Sequence, residues 1–284
     1  MNRRLRILTF NAAIQDLRLL GRSWYCPVAW PQERLRQLPA ALEALAADII
    51  CLQELFHPPL QEWLCHTLSP HFPHVAGLAT RSPQLRLGNE LLVLSRFPLG
   101  GARLYRFGHA AREERLFTTK GFLHVRLEIP GLGTVNLVNF HTTAGGARAH
   151  PESPGMEAIR ARQISQILEV IMPLPRALLV GDLNAGPHTS THIYKVVGAR
   201  GFVDAFSTCG GEGMTWDPAN PLVARGRESH LPPQRIDHVF LSSALAEQLA
   251  PQIARVVLHE HSVATPDGDV PYSDHYGVLT ELAY

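Results

Sequence analysis

Short apolar runs that stop at a polar or ionisable residue recur along the whole of this chain. Strand-like stretches, either alternating or rich in Val, Ile and Phe, fall at residues 5–10, 48–52, 90–94, 121–129, 134–140, 177–180, 236–241, 253–258 and 278–282. Helical spacing lies between them. Residues 32–46 repeat Leu at 35, 38, 42 and 45, which predicts an amphipathic helix. Residues 156–171 place Ile159, Ile164, Ile167, Leu168 and Ile171 on one face, and a shorter helix is expected over 188–197, capped by Thr189 or Ser190. Loops rich in Pro and Gly are expected at 57–59, 143–155, 210–233 and 265–273. With no repeat, low-complexity tract or linker, the pattern reads as one domain over 1–284. Mixed strands with interspersed helices predict an α+β sandwich, with helices outside a pair of packed sheets.

Composition narrows the function classes. At 45% hydrophobic and 18% charged residues, the 284-residue chain is of globular type. Its net charge is +1, from 26 Lys plus Arg (mostly Arg) against 25 Asp plus Glu, which speaks against a dedicated nucleic-acid binder. Fifteen His mean that any His-based site must be chosen by context. The four Cys, at 26, 51, 65 and 209, show no close-spaced metal pattern, and a reducing compartment is the expectation. The N-terminal residues are too short an apolar run for a signal-peptide core, and no stretch reaches the length of a membrane span, so the expectation is cytoplasmic or undetermined.

The residues at the strand ends are of the types that hydrolyse phosphodiesters. Asn11, Glu54, His141, Asp182 and Asn184 each follow an apolar run, Asp237 opens one, and Asp274 and His275 precede the last. Any one alone is more readily a turn or cap residue. Cleaving a phosphodiester at neutral pH requires neutralised phosphoryl oxygens, an activated water and a stabilised leaving oxygen. Glu54 with Asn11 suits Mg²⁺, which takes oxygen ligands and keeps several waters; Mn²⁺ or Co²⁺ are possible substitutes. His275 can take a proton from water if Asp237 holds its other ring nitrogen. Asp182 and Asn184 are suited to orienting the water or contacting phosphate, and His141 to stabilising phosphoryl charge.

The segments Ile7-Leu8-Thr9-Phe10-Asn11, Leu52-Gln53-Glu54, Asn139-Phe140-His141, Gly181-Asp182-Leu183-Asn184, Arg235-Ile236-Asp237-His238 and Ser273-Asp274-His275 occur in this order. Together they resemble the endonuclease/exonuclease/phosphatase superfamily, which includes pancreatic-type deoxyribonucleases, apurinic endonucleases, inositol polyphosphate phosphatases and neutral sphingomyelinases. The resemblance runs from Leu5 to Tyr284. It implies a four-layer α/β/β/α sandwich, with the site at one edge of the sheets and the residue roles given above.

Within that superfamily three features are similar to sphingomyelinases. His141 stands at a strand end where apurinic endonucleases usually have no His. Lys120-Gly121 resembles the segment whose Lys belongs to an Asp–Lys switch reaching the substrate phosphate, although here Glu113 and Glu114 stand upstream instead of an Asp. Thr215-Trp216-Asp217 resembles a loop of bacterial sphingomyelinases, and the face of Trp216 would attract a quaternary ammonium. Glu90 is a candidate to orient His141. The aromatic segment 24–30, with Trp24 and Trp30, is the best candidate for rimming the site or touching lipid. The leading expectation is therefore a Mg²⁺-dependent phosphodiesterase acting on a phospholipid headgroup, sphingomyelin first, with possible contact to a membrane surface. A nuclease using the same site is less favoured on charge. A phosphoinositide phosphatase would require Arg112, Arg115, Arg148, Arg225 or Arg227 around the pocket, and a non-catalytic binding module is the remote alternative.

Overall fold

Unbroken apolar runs along the central strands require two buried faces on each sheet, and the computed structural model supplies both. It describes residues 3–19, 22–78, 90–145, 152–224 and 229–284. The chain opens with β1 (Arg4–Ile14), the hairpin β2 (Leu17–Leu19) and β3 (Arg22–Tyr25), α1 (Pro31–Ala44), β4 (Ile49–Leu55) and α2 (Pro58–Leu68). It continues through β5 (His74–Ala76), β6 (Leu92–Ser95), β7 (Leu99–Arg106), α3 (Arg112–Phe117), β8 (Gly121–Ile129), β9 (Gly133–His141), α4 (Pro154–Ile171) and β10 (Ala177–Asp182). The last part comprises α5 (Thr191–Ala199), β11 (Phe202–Asp204), α6 (Ala205–Thr208), β12 (Asp237–Ser242), α7 (Ser243–Ala246), β13 (Ala250–Val257) and β14 (Gly277–Ala283). One six-stranded sheet runs β13-β14-β1-β4-β6-β5 and the other β11-β12-β10-β9-β8-β7.

Strand parity sorts the side chains into layers. Leu5, Ile7, Ile49 and Cys51 of the first sheet meet Val135, Leu137, Leu178, Val180, Val239 and Leu241 of the second between the two sheets. The alternate positions Leu8, Phe10, Ile50 and Leu52 face outward under Leu35, Leu38 and Leu42 of α1 and Leu64 of α2. On the far side Val138, Phe140 and Leu179 pack under Ile164, Ile167 and Leu168 of α4 and Ile193 of α5. This is the four-layer α/β/β/α sandwich.

Two local expectations are corrected, and one strand was not anticipated. The Pro-rich segment at 57–59 is not a loop but the start of α2, because proline is tolerated in a first helical turn, where amide donors have no partner to lose. The helix expected from residue 188 begins at Thr191, since Ser190 is left-handed (φ 44°). Ser190 occupies the cap position, but its Oγ accepts from Arg160 Nη2 at 3.0 Å and makes no cap bond. The strand β7 carried no apolar alternation to reveal it, being an edge strand that is largely exposed.

Gly181, immediately before Asp182, leaves no room for a side chain against β9. Its φ is 150°, and a Cβ there would stand 2.0 Å from the Phe140 carbonyl oxygen. Gly181→Ala is expected to cost about 2–4 kcal/mol, read as a lowered urea midpoint at unchanged m-value.

Candidate active site

The same parity that builds the inter-sheet core builds the site. On β1 the inward row Leu5, Ile7 continues through Thr9 to Asn11. On β9 the row Val135, Leu137 continues through Asn139 to His141, and on β10 Leu178, Val180 lead to Asp182. Asp237 begins the row Val239, Leu241 on β12. β1 runs parallel to β4 and β9 parallel to β10, so these residues emerge together at one end of the sandwich. A polar layer separates them from the dry core. Gln53 Nε2 donates to Asn139 Oδ1 at 2.8 Å and to Thr9 Oγ1 at 3.2 Å, while Asn139 Nδ2 donates to the Leu52 and Leu92 carbonyls at 3.0 and 3.1 Å.

Glu54 breaks the parity. Ile49, Cys51 and Gln53 take the inward positions of β4, which would turn Glu54 toward the helices. A φ of 54° at Glu54 re-aims the carboxylate into the site. Asn184 is also left-handed, at φ 48°. Non-glycine residues held in this region store local strain, and both lie in one cleft.

Asp182 is the hub. Its Oδ2 accepts from Asn11 Nδ2 at 3.0 Å and lies 3.5 Å from His141 Nε2 and 3.9 Å from His275 Nε2. Its Oδ1 accepts from the Asn184 amide at 2.8 Å. Asn11 Nδ2 also reaches Glu54 Oε1 at 3.3 Å, while Asn11 Oδ1 accepts from the Ala13 amide at 3.1 Å. Asn11 thus turns its N–H face, rather than its oxygen, to the carboxylates. Gln15 Nε2 donates to Glu54 Oε2. His275 Nδ1 is 3.0 Å from Asp237 Oδ2, the geometry that leaves Nε2 facing the cleft. The Asp237 backbone is fixed from behind by Thr215 Oγ1, which accepts from the Ile236 and Asp237 amides. Asp274 lines the cleft beside His275, and the Ser273 hydroxyl donates to its Oδ1 at 3.1 Å. Asn184 Nδ2 donates to the Thr142 carbonyl.

Lys120 is buried, not a solvated residue at a strand start. Its Nζ contacts Glu114 Oε1 at 3.2 Å and His141 Nε2 at 2.9 Å, and it donates to the Thr142 carbonyl at 2.8 Å. Glu114 is held in turn by Thr143 Oγ1 at 2.7 Å and by the Ala111 amide at 3.1 Å. On its other nitrogen, His141 Nδ1 lies 3.2 Å from the buried Glu90 Oε1. Trp216 is buried among Val223, Leu231 and Ile236 and is one of the residues lining the cleft. A backbone bridge joins Trp216 to His275. Arg112 and Arg115 are exposed on α3 and do not line the cleft. Arg148, Arg225 and Arg227 and the side chains of Trp24 and Glu113 lie outside the described residues. Within the aromatic segment Val28 is buried, Tyr25 is exposed and Trp30 is half-buried.

Burial dominates the electrostatics, and charge partners decide the outcome. For His275, burial disfavours the cation, but the Asp237 carboxylate, with Asp182 and Asp274 beyond it, raises the pKa well above the ordinary imidazole value. His141 is raised against burial chiefly by Glu90. Lys120 is raised against burial chiefly by Glu114. Asp182 is lowered against burial by His141, His275 and the Asn11 amide. Glu54 moves the other way, because burial and the nearby carboxylates Glu90 and Asp274 raise it.

That last shift bears on a cation. Glu54 and Asp274 line one cleft, where the Asp274 charge disfavours ionised Glu54, and Asp237 Oδ1 is buried with no hydrogen-bond partner. Oxygen donors from Asp182 and Asp237 and a His275 nitrogen also lie within 4.8 Å of one another. A donor set dominated by carboxylate oxygens fits a hard divalent cation, which would relieve the repulsion around Glu54.

Sequence reading quoted Gln53, Asn139 and Thr215 only as members of motifs, without a role, and did not name Gln15. The signal for Gln53 and Asn139 was present, since each occupies an inward position one pleat before or beside a chosen residue.

The chain belongs to the endonuclease/exonuclease/phosphatase family, whose model matches residues 8–275. It is 22% identical over 234 residues to sphingomyelinase C 2 of Leptospira interrogans serogroup Icterohaemorrhagiae serovar Lai (strain 56601). The match covers 76% of this chain but only 36% of that relative's length. Among solved structures, sphingomyelinase C from Streptomyces griseocarneus superposes with a TM-score of 0.77 at 22% identity, over 98% of this chain and 99% of that one. A Staphylococcus aureus beta toxin variant with bound magnesium ions gives 0.76 at 18% identity, over 97% and 98%. D. rerio TDP2 complexed with a single-strand DNA product gives 0.70 at 18% identity, over 98% of both chains. At these identities the likeness shows a shared fold. Among the described residues no helix is long and apolar enough to cross a membrane.

Proposed function

We propose that this chain is a divalent-cation-dependent phosphodiesterase that releases the phosphorylated headgroup of a phospholipid, sphingomyelin first, yielding ceramide and phosphocholine. The observation that carries the reading is the makeup of the cleft: Asp182, Glu54 and His275, the last backed by Asp237, stand against a wall of Trp216, Leu231, Ile236 and Ala144, with no Arg or Lys among its described lining residues. A polyphosphorylated ring or a long polyanion calls for several cations around the pocket. A single phosphodiester flanked by methyl-rich groups does not, and an aromatic face favours a trimethylammonium group.

In the proposed reaction His275 Nε2 removes a proton from the attacking water, with Asp237 holding the ring in the required tautomer. Asp182 and Asn184 position that water. His141 faces the phosphoryl oxygens, and Lys120, which stands behind it with Nζ 2.9 Å from His141 Nε2 and is held in place by Glu114, adds its charge toward the phosphate. A divalent cation such as Mg²⁺ would be held by Glu54 on the Asn11 side and would neutralise phosphoryl charge. The sphingomyelinase-like relatives support the lipid substrate, and magnesium bound to the beta toxin variant supports the metal. The fold shared with a protein crystallised with a DNA product keeps a nuclease as the second reading.

Assaying the protein with Mg²⁺ against sphingomyelin liposomes, plasmid DNA and a phosphoinositide separates these readings. Phosphocholine release that EDTA abolishes is the expected result. DNA turnover without phosphocholine release would overturn the lipid assignment. Lys120→Met is expected to lower kcat/KM by about 10²-fold and Glu114→Gln by less, in steady-state assays on whichever substrate turns over. Equal losses in the two variants would argue that the pair acts as a unit.

A further inference from the structure

Arg34 is fully buried in α1, and each of its five side-chain donors points at main-chain oxygen. Nε donates to the Ala29 carbonyl at 2.9 Å. Nη1 donates to Ala12 and to Tyr272, both at 2.9 Å. Nη2 donates to Ala13 at 2.7 Å and to Val28 at 3.5 Å. A buried guanidinium usually meets a carboxylate. Here carbonyl dipoles from three separate stretches of chain take that place.

Those stretches are the two flanks of the catalytic cleft and a loop behind them. The β1–β14 ladder ends at Thr9 opposite Val278. Beyond it the strands diverge, β1 into a register break between Asn11 and Ile14, and the other chain into residues 272–275. Ala12 and Ala13 lie in that break, directly after Asn11, and Ala13 is left-handed (φ 47°). Tyr272 lies two residues before Asp274 and three before His275. The carbonyls at this fork have lost their ladder partners, and one planar fork of donors satisfies them together.

We infer that Arg34 is a positioning residue for catalysis: its guanidinium spans the gap left where β1 and β14 part, and so fixes the spacing between the Asn11–Glu54 side of the cleft and the Asp274–His275 side. Asp182 Oδ2 lies between the two sides, 3.0 Å from Asn11 and 3.9 Å from His275, so a change in their spacing is felt at the hub. Burial lowers the Arg34 pKa to about 10, with Asp274 and Glu54 among the charges opposing that shift, so the fork stays charged at neutral pH. The inference rests on the reading of the cleft as a hydrolytic site.

Arg34→Lys keeps the charge but offers one nitrogen where five donors served. It is tested with Arg34→Met in steady-state assays well below each variant's melting midpoint. The substrate is whichever of sphingomyelin, DNA or phosphoinositide the wild type turns over. A fall in kcat of about 10–100-fold with little change in KM is expected, with the acid limb of the pH–rate profile displaced. Variants that melt earlier but keep the wild-type kcat and pH profile would overturn the inference and leave Arg34 a purely structural clamp. Isothermal titration with Mg²⁺ alone needs no substrate, so it reads Arg34 even if no turnover is found; unchanged affinity in both variants counts against the inference. If neither variant folds, nitrogen-15 NMR of the wild type decides. Slowly exchanging Arg34 Nε and Nη protons that shift on Mg²⁺ titration support the inference, and resonances indifferent to Mg²⁺ refute it.

Discussion

His275→Ala is expected to lower kcat/KM by about 10³–10⁴-fold while leaving the protein folded, measured by steady-state hydrolysis beside a thermal melt. The ring sits at a cleft edge rather than in the hydrophobic core, so its loss removes few apolar contacts. What disappears is the imidazole whose Nδ1 is held by Asp237 and whose Nε2 faces Asp182; His141 also stands between two carboxylates, but Lys120 Nζ lies 2.9 Å from its Nε2. Asp237→Asn leaves the ring in place but can stabilise the wrong tautomer, and a loss approaching that of His275→Ala is expected. The double variant should be hardly worse than the worse single one, because both act on one proton transfer.

The pH dependence follows with its sign. The folded protein raises the His275 pKa well above 6.5 through Asp237, Asp182 and Asp274. A base must be neutral to accept a proton, so without cation its active form grows only as pH climbs through that raised value. For stability the sense is opposite. The imidazolium contributes stability that is fully present below the unfolded value near 6.5 and is lost as pH rises through the folded value. Cation-free wild type should therefore lose stability toward alkaline pH, and His275→Ala should flatten that limb in melts recorded across the range.

Much of this arrangement was legible in the sequence, for a physical reason. A strand buried on both faces reads as an unbroken apolar run, and a polar side chain where the run begins or ends marks the edge of the sheet, so Asn11, His141, Asp182 and Asp237 announce both the sheet and the site. Glu54 was found by residue type rather than parity, because only a left-handed backbone turns it inward and φ is not written in a hydrophobic pattern. Glu114 could be named but not chosen over Glu113, since its contact with Lys120 depends on how a six-residue helix packs. Arg34 was hidden more completely. Its helix position looks like one polar residue on an amphipathic helix, and its partners are backbone oxygens, which carry no residue identity. The edge strand β7 was missed for a related reason, as an exposed strand need not alternate.

Glu54→Gln is the second large effect, expected to lower activity at sub-saturating Mg²⁺ by about 10³-fold or more and to weaken Mg²⁺ binding in isothermal titration. The argument begins with the raised Glu54 pKa. Burial and the neighbours Glu90 and Asp274 make ionised Glu54 costly in the cation-free cleft, and a divalent cation reverses that cost. Glutamine removes the charge while keeping the shape and an acceptor oxygen. The cation-free variant should consequently be as stable as the wild type near neutral pH, or more so, while the stabilisation that Mg²⁺ gives the wild type is largely lost. Proton release separates this role from a purely steric one. Wild type should release protons on binding Mg²⁺, as Glu54 and His275 are pushed toward their deprotonated forms, and titrations in buffers of different ionisation enthalpy would count them. Glu54→Gln should release fewer. A variant that binds Mg²⁺ with wild-type affinity and proton release would place the cation elsewhere, with the Asp182, Asp237 and His275 donors as the remaining described group able to hold it.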